Sequence, residues 1–371
     1  MVNKSQSQSN SQSQSKGISK VDSEFDEDLT SKIAADDNKS PSKPKVINVD
    51  NEFDGDIDSA IAAANEGDIV ELGSKVYYTD GINIDKDITI DGREGTVIDG
   101  EGTSNPVFTL DSDADGATIK DLEITNANIG VLGDDATDIT LRKLEIYNIG
   151  NDEIIRTGED NTAVTLSHAD GFKIVDSEIY DVSKKGVGVR DTDGGEISGL
   201  SMRDINLEAE HAQSFDAGGI KLFNTNEVVV SNNDLSNINA FFIWNDITSG
   251  TIIEDNYITG VGEDFLAPDF NQNVTVTGIY NEKSYESVVR NNYVEAIETP
   301  ERAFLAFDAT EFSTETMVLE DNYFSSIALD TTDYWANEEL EKEVAINPDP
   351  KAANFDLFAD DFFAREQSMN G

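Results

Sequence analysis

The first apolar pattern along the chain is helical. Ile57, Ile61 and Ala64 recur at helical spacing, and Asp56 or Asp58 stands where an N-cap is needed. After this segment the apolar runs become short, alternate with polar residues at period two and are separated by turn residues, which predicts very short strands. The first of these strands are predicted at 69–72, 76–78, 82–84 and 88–92.

One sequence unit then recurs with the pattern apolar-x-apolar-x-(Asp or Asn)-x-x-apolar. Its last apolar residue indexes each copy, and the copies lie 22 to 36 residues apart. A repeat length that never falls below about 22 residues but is often longer is typical of a solenoid, in which the additional residues form loops at fixed corners. Each unit is too small to bury its own apolar residues, so successive units must stack. The index residues are Ile98, Ile124, Ile146, Ile179, Ile205, Leu235, Ile258, Val294 and Phe324.

The strands are not separated by helices of about ten residues, which excludes a sheet of βαβ units. Irregular repeat length and the lack of Trp-Asp signatures disfavour a propeller. We therefore predict an all-β parallel β-helix, a solenoid, over residues 46–329, with the short helix as its N-terminal cap. Residues 330–371 lose the repeat but keep apolar residues, which predicts a C-terminal cap over the open end.

Residues 1–45 predict a disordered arm. They are polar throughout, and residues 5–15 contain only Ser, Gln and Asn, so they bury too little apolar surface to offset the entropy of ordering. The arm lacks the apolar h-region of a secretory signal peptide. Either the protein stays inside the cell, or it leaves by a route that needs no such signal, or a signal has been removed.

Charge narrows the classes of function. The 371 residues include 26 Lys and Arg against 75 Asp and Glu, for a net charge of −49. This argues against a nucleic-acid partner and against docking on anionic membranes. No apolar run approaches the roughly 18 residues of a membrane span. The chain has no Cys and two His, which excludes disulfides and thiolate sites and disfavours a His-rich metal site.

One column of amides suggests a structural ladder. Asn233, Asn256, Asn292 and Asn322 share a register position, two residues before the index residue. Stacked amides can hydrogen-bond from one repeat to the next. We therefore predict a buried Asn ladder, with a sugar or ion contact as the alternative.

A second predicted strand precedes each repeat core by eight residues and supplies the candidate site. Its period-two alternation places every second side chain on the outside of the solenoid. Glycine repeated within strands often marks the close approach of a ligand. The outward positions form one column of Leu132, Thr165, Arg190, Lys221, Trp244 and Tyr280, and a second of Gly130, Ala163, Gly188, Gly219, Phe242 and Gly278.

This strip suits a carbohydrate chain. The rings of Trp244 and Tyr280 would stack on sugars, and Gly219 would line the groove beside them. Arg190 and Lys221, expected one rung apart, would pair with uronate carboxylates. Ordinary surface or loop packing of the same side chains is the alternative.

Three other groups could carry chemistry. Asp246 and Glu282 lie two residues beyond Trp244 and Tyr280 on the same face, which leaves open a Ca²⁺ site or an acid and base pair for glycoside hydrolysis. His211 is either a proton donor beside the strip or an exposed side chain. No cofactor other than Ca²⁺ is indicated, and no EF-hand loop is present.

The lead-in from Ala60 to Gly92 (AIAAANEGDIVELGSKVYYTDGINIDKDITIDG) resembles the N-terminal cap and first coils of right-handed parallel β-helix proteins. This is the pectate-lyase-like superfamily, which includes alginate lyases and chondroitinase B. The stretch from Asn347 to Ala364 is similar to a tail of secreted members, although Phe362-Phe363 replaces the usual Ser-Pro pair. The resemblance implies a right-handed solenoid over about 55–360.

Alginate lyases and chondroitinase B use a Lys and an Arg on neighbouring coils, so the resemblance implies Lys221 as base and Arg190 as carboxylate clamp in a β-elimination. We favour an extracellular or cell-surface enzyme, most like a polysaccharide lyase, that acts as a monomer on a polyuronate or a cell-surface glycan. A non-catalytic adhesin or fibre module and a β-helix glycoside hydrolase are the alternatives.

Overall fold

The computed structural model describes residues 43–150, 161–207, 217–261, 265–267, 272–274, 276–282, 284–296, 304–307, 318–324 and 327–329. The chain divides into two compact units, Met1–Lys43 and Pro44–Gly371, and the described strands lie in the second. Nearly all of the predicted N-terminal arm, the whole predicted C-terminal cap and His211 lie outside the described residues.

Two short helices, α1 (Val49–Glu52) and α2 (Ile57–Ala63), precede the main series of strands. The helix predicted from apolar spacing is α2. Its N-cap is Asp56, whose carboxylate accepts a hydrogen bond from the backbone N–H of Ser59 at 3.0 Å. The side chains that α2 buries are Ile57, Ala60 and Ile61.

Most strands are short, as their alternating pattern predicts, whereas β6, β7 and β8 have 14, 17 and 10 residues. In chain order they are β1 (Val46–Asn48), β2 (Ile69–Glu71), β3 (Val76–Tyr78), β4 (Ile82–Ile84), β5 (Thr89–Asp91), β6 (Val97–Leu110), β7 (Thr118–Asp134), β8 (Thr140–Ile149), β9 (Thr162–Ser167), β10 (Phe172–Val175), β11 (Glu178–Val182), β12 (Lys185–Arg190), β13 (Asp193–Ser198), β14 (Ser201–Ile205), β15 (Gly218–Phe223), β16 (Asn226–Ser231), β17 (Asp234–Ile238), β18 (Phe241–Asp246), β19 (Ile252–Glu254), β20 (Tyr257–Val261), β21 (Phe265–Ala267), β22 (Gln272–Val274), β23 (Thr277–Glu282), β24 (Val288–Arg290), β25 (Tyr293–Ala296), β26 (Phe304–Phe307), β27 (Val318–Glu320), β28 (Tyr323–Phe324) and β29 (Ile327–Leu329).

Successive turns of the chain stack their strands on three faces, which we call sheets A, B and C. Strands β6, β7 and β8 bend at corners and contribute to more than one sheet. All pairings within the sheets are parallel, while β21 and β22 form a separate antiparallel pair. Sheet A contains β1, β2, β5, β7, β8, β10, β13, β16, β19, β24 and β27; sheet B contains β3, β6, β7, β8, β11, β14, β17, β20, β25 and β28; sheet C contains β4, β6, β7, β9, β12, β15, β18, β23, β26 and β29. The predicted parallel β-helix is confirmed.

The core lies between the three sheets and consists of apolar side chains stacked by rung. Ile98, Ile124, Ile146 and Ile179 pair directly on neighbouring rungs, and all four are buried. Burying an aliphatic side chain of this size contributes roughly 1.5–3 kcal/mol. A repeated apolar position therefore stabilises the solenoid at every rung it occupies.

One rung differs from the predicted register. Met202 pairs with Ile179, so Met202 is the index residue there; Ile205, which the pattern indicated, pairs with Val182. Both Met202 and Ile205 are apolar and buried, so the sequence pattern alone does not distinguish them.

A glycine causes a second shift on the same rung. Gly195 pairs with Phe172 and Val228 in sheet A, where the sequence pattern selects Ile197. A Cβ on Gly195 would lie 2.2 Å from the Phe172 ring, so the large side chain on one rung fills the space that the small residue leaves on the next. Counting from Ile197 places the preceding strand two residues too far along the chain.

The predicted Asn ladder is confirmed. The side-chain amides of Asn233, Asn256 and Asn292 each donate to the Oδ1 of the next Asn at 2.9 Å, and Asn322 is the last Asn of the ladder among the described residues. Each Oδ1 also accepts the backbone N–H of the preceding Asn, at 3.0–3.1 Å. The ladder thus satisfies buried backbone donors at one corner of the solenoid.

We predict that Asn256→Ala destabilises the protein by about 3 kcal/mol, because the buried backbone N–H and side-chain amide of Asn233 both lose their acceptor. Urea unfolding measures this loss. Asn83→Ala, which removes an exposed Asn from β4, should change stability by less than about 0.5 kcal/mol. Equal losses in the two variants would contradict a structural role for the ladder.

Candidate functional site

Strand β15 shows how the sequence places side chains on the outside of sheet C. In its sequence GGIKLF, Ile220 and Leu222 are buried in the core, whereas Lys221 is partly exposed and Phe223 is 37% exposed. Strands β12, β18 and β23 pair beside it in continuous register. Their outward side chains therefore form columns that run along the solenoid.

The predicted column is wrong at β12. Lys221 pairs with Gly188 on one side and with Trp244 on the other. Arg190 pairs with Phe223, because β12 lies two residues earlier than the sequence pattern indicates. Arg190 remains a diagonal neighbour of Lys221 on the same outer face, with Cα atoms about 8 Å apart from strand spacing and rise.

A third cation joins this pair. A Cβ on Gly188 would lie 3.4 Å from the Nζ of Lys185, so Lys185 lies over the glycine that pairs with Lys221. Arg190 is exposed, and its Nε–H donates to Ser167 Oγ at 2.9 Å. We call Lys185, Arg190 and Lys221 the cationic cluster.

Lys221 is held by aromatic and acidic groups. Its Nζ lies 3.7 Å from the centroid of the Trp244 ring and 5.8 Å from that of Phe223. An Asp246 carboxylate oxygen lies 3.8 Å from the same atom, and the Lys221 side chain is 17% exposed. These contacts fix the Lys221 side chain over the outer face of sheet C.

The two predicted sugar platforms are buried. Trp244 and Tyr280 are 6% and 9% exposed and pack with Phe241, with ring centroids 4.6–5.6 Å apart. A ring that stacks on a sugar needs a free face, so neither ring serves as a platform in this structure. The prediction of sugar stacking on Trp244 and Tyr280 is corrected accordingly, and the exposed ring of this region is Phe223.

The predicted glycine groove is also wrong. Gly219 is buried, and a Cβ there would lie 3.1 Å from Ile238 Cδ1 and 3.4 Å from Met202 Sδ. Gly186, rather than Gly188, occupies the equivalent position on β12, and its Cβ would lie 2.5 Å from the same sulfur. These glycines make room for core side chains and offer no surface to a substrate.

The acidic pair has the predicted register. Asp246 pairs directly with Glu282. Ca²⁺ takes six to eight oxygen ligands, and within the described part of the chain no third His or acidic side chain converges on this pair. An Asp246 carboxylate oxygen also lies 3.8 Å from Lys221 Nζ. Metal binding by Asp246 and Glu282 stays a prediction.

The structure brings another set of polar groups together. His168 Nδ1 lies 3.5 Å from Asp134 and 3.6 Å from Asp135, and all three side chains are exposed. His168 lies at a bend directly after β9 and has a φ of 51°. Exposed acidic groups commonly lie together without a metal ion, so we assign none here.

A stack of tyrosines lies on the outside of sheet B, which the apolar pattern of the sequence does not predict. Tyr257, Tyr293 and Tyr323 stack on successive rungs with centroids 5.0 and 4.7 Å apart. Each Tyr directly follows an Asn of the ladder, and this repeated Asn-Tyr pair is the signal that could have revealed the stack. Because the rings cover one another, the stack offers mainly ring edges to solvent.

In a neighbouring column of sheet B, aromatic and charged side chains contact one another from rung to rung. Tyr180 stacks on Tyr147 at 5.2 Å and donates a hydrogen bond to Glu145 at 2.7 Å. Burial and this hydrogen bond raise the pKa of Tyr180 above its ordinary value. The Arg203 guanidinium lies 4.2 Å above the Tyr180 ring and donates to Glu178. These charges are satisfied locally, which leaves the outside of sheet C as the better candidate for ligand binding.

Residues 162–338 match the family model described as right handed beta helix region. The chain is a right-handed parallel β-helix. No curated protein matches it in sequence. No helix within the described ranges is long and apolar enough to cross a membrane.

Solved structures of similar fold come from carbohydrate-active proteins. An alginate lyase from Paenibacillus sp. is 17% identical, with a TM-score of 0.54, and the match covers 74% of this chain and 94% of that one. A lacto-N-biosidase from Eubacterium ramulus is 13% identical, with a TM-score of 0.42, covering 71% and 62%. The catalytic domain of an alpha-1,3-glucanase is 12% identical, with a TM-score of 0.43, covering 76% and 58%. At these identities the likeness concerns the fold.

We predict that Trp244 is weakly quenched by acrylamide, because its side chain is buried beside Lys221 and Tyr280. The chain has two Trp residues, so Trp335→Phe isolates the fluorescence of Trp244. Trp244→Phe is the matched variant that retains Trp335. Strong quenching of Trp244 would show that its ring is accessible and would restore it as a sugar platform.

Proposed function

We propose that this chain is a carbohydrate-acting β-helix that binds a polyuronate on the outer face of sheet C and cleaves it by β-elimination. The cationic cluster carries the proposal, because Lys185, Arg190 and Lys221 gather on neighbouring rungs of a chain with a net charge of −49. Cations grouped on one face match a polymer with a carboxylate on each sugar. The fold likeness to an alginate lyase supports the choice of a polyuronate.

Arg190 is the proposed carboxylate clamp. Its guanidinium is exposed and oriented by the hydrogen bond from Nε to Ser167 Oγ. A guanidinium presents planar pairs of donors that bind a carboxylate in a bidentate manner. Binding there would also stabilise the negative charge that develops on the carboxylate when the adjacent carbon loses its proton.

Lys221 is the proposed base. Its neutral amine takes the proton from the carbon beside the carboxylate, the released electron pair forms a C=C bond, and the glycosidic C–O bond on the next carbon breaks. The ammonium formed in this step then protonates the departing oxygen. Trp244 and Asp246 position the Lys221 side chain for this transfer, at 3.7 Å from Nζ to the ring centroid and 3.8 Å from Nζ to the carboxylate.

A hydrolase is the second candidate, favoured by one observation. Asp246 and Glu282 pair directly in register on β18 and β23, so two carboxylates face the same side, as glycoside hydrolysis requires. Hydrolysis releases reducing ends without forming a C=C bond, so the two reactions have different products.

We predict that the protein raises ultraviolet absorbance when incubated with alginate, pectate or chondroitin, because elimination creates a C=C bond conjugated to the carboxylate. Lys221→Met should lower this rate at least about 100-fold, through loss of the base. Lys173→Met, which removes an exposed lysine from β10 in sheet A, should leave the rate unchanged.

Each other outcome selects a different function. Reducing ends without new absorbance would replace the lyase with the hydrolase. Glycan binding without cleavage, unaffected by Lys221→Met, would support a non-catalytic adhesin or fibre module. Binding and cleavage of no polyuronate would overturn the proposal.

We predict that kcat/KM for a long polyuronate rises between about 0.05 and about 0.3 M NaCl. At low salt the net charge of −49 repels a polyanion at long range, and screening shortens that range to about 10 Å or less above 0.1 M. Initial rates at subsaturating substrate measure the effect. A steady fall over the same range would show that local cation contacts, rather than net charge, dominate the encounter.

A further inference from the structure

Five successive rungs leave sheet C through a residue in the left-handed backbone conformation. The backbone N–H at this corner donates to a carbonyl of the next rung at 2.8–3.2 Å. Because this hydrogen bond recurs, stacking imposes the conformation on whatever residue occupies the corner. Among the described rungs the corner residues, with φ of 51–59°, are Asp135, His168, Asp191, Asn224 and Ile247.

Ile247 is unsuited to this corner. Asn, Asp and His are enriched in the left-handed region, whereas a β-branched residue there is strained. Among the residues that the structure describes, Ile247 is the one β-branched side chain with positive φ. It is also 36% exposed, so core burial offsets little of the strain. Ile247 therefore contributes less to the stability of the fold than Asn224 does at the corner of the preceding rung.

The location of Ile247 connects the strain to the candidate site. Ile247 follows Asp246, whose carboxylate lies 3.8 Å from Lys221 Nζ. On the preceding rung, Phe223 pairs with Asp246 and is 37% exposed. Two exposed apolar side chains therefore border Lys221 at the edge of sheet C, one of them in a strained conformation.

We infer that Phe223 and Ile247 form an apolar contact surface for the sugar ring of the polyuronate, and that Ile247 occupies its strained corner because of this contact. The inference rests on the proposed function and identifies the residues that hold the ring. A uronate ring has a face of C–H groups and one carboxylate at its edge. A ring lying on Phe223 and Ile247 would place that carboxylate within the cationic cluster.

The test is Ile247→Asn, which installs the residue found at the corner of the preceding rung. The variant should raise the midpoint of thermal unfolding by about 2 °C, because left-handed strain is relieved. It should also weaken binding of alginate and galacturonate oligosaccharides about fivefold, measured by titration calorimetry at fixed salt. Phe223→Ala should weaken the same binding.

Val76→Asn is the matched control, because Val76 is 42% exposed on β3 of sheet B. It removes an exposed aliphatic side chain distant from sheet C, so it should leave oligosaccharide affinity unchanged and raise no unfolding midpoint. If Ile247→Asn stabilises the protein while affinity stays at the wild-type value, the contact surface is wrong and the proposed function stands.

A lower unfolding midpoint in Ile247→Asn would overturn the part of the inference that concerns strain, because Ile247 would then stabilise the protein by packing. Wild-type protein that binds neither oligosaccharide overturns the contact surface and the proposed function together. Gain of stability combined with loss of affinity is the single pattern that supports the inference.

Discussion

The hydrogen bonds between successive rungs are the constraint on which the rest of this structure depends. Parallel pairing holds each rung about 4.8 Å above the last, so the nearest neighbours of a strand residue outside its own rung are the residues at the same position of adjacent rungs. A position must therefore carry side chains that tolerate one repeated environment. The Asn ladder, the stacked tyrosines of sheet B and the left-handed corners each follow from this repetition.

Because positions repeat from rung to rung, the space available to a side chain depends on the size of the residue at the neighbouring position of the next rung. Phe172 occupies the space above Gly195, and Met202 occupies the space beside Gly186 and Gly219. Close packing requires such complements, since a cavity or an overlap is destabilising. The glycines near sheet C are consequently part of the core arrangement. The shift at Gly195 in sheet A moves strand β12 relative to the apolar pattern, and this movement places Gly188, rather than Arg190, beside Lys221.

Electrostatics distinguishes sheet B from sheet C. On sheet B, Glu145 and Glu178 accept hydrogen bonds from Tyr180 and Arg203, so charge and polarity are matched between neighbouring rungs. On sheet C, Lys221 is held by Trp244 and Asp246 beside exposed Arg190. Both sheets use contacts between rungs, but of these two it is sheet C that brings Lys185, Arg190 and Lys221 together, next to the exposed side chains of Phe223 and Ile247.

The sequence by itself determined the parallel β-helix, the short capping helix and the Asn ladder, because each depends on local periodicity repeated many times. It also indicated that Lys221 lies on the outer face of its strand and that Asp246 and Glu282 pair in register. Tertiary structure decided the rest. Gly195 shifted Arg190 from beside Lys221 to a diagonal position, aromatic packing buried Trp244 and Tyr280, and core side chains closed the space at Gly219. These outcomes depend on volumes contributed by side chains of neighbouring rungs, which a periodic pattern of apolar residues does not encode.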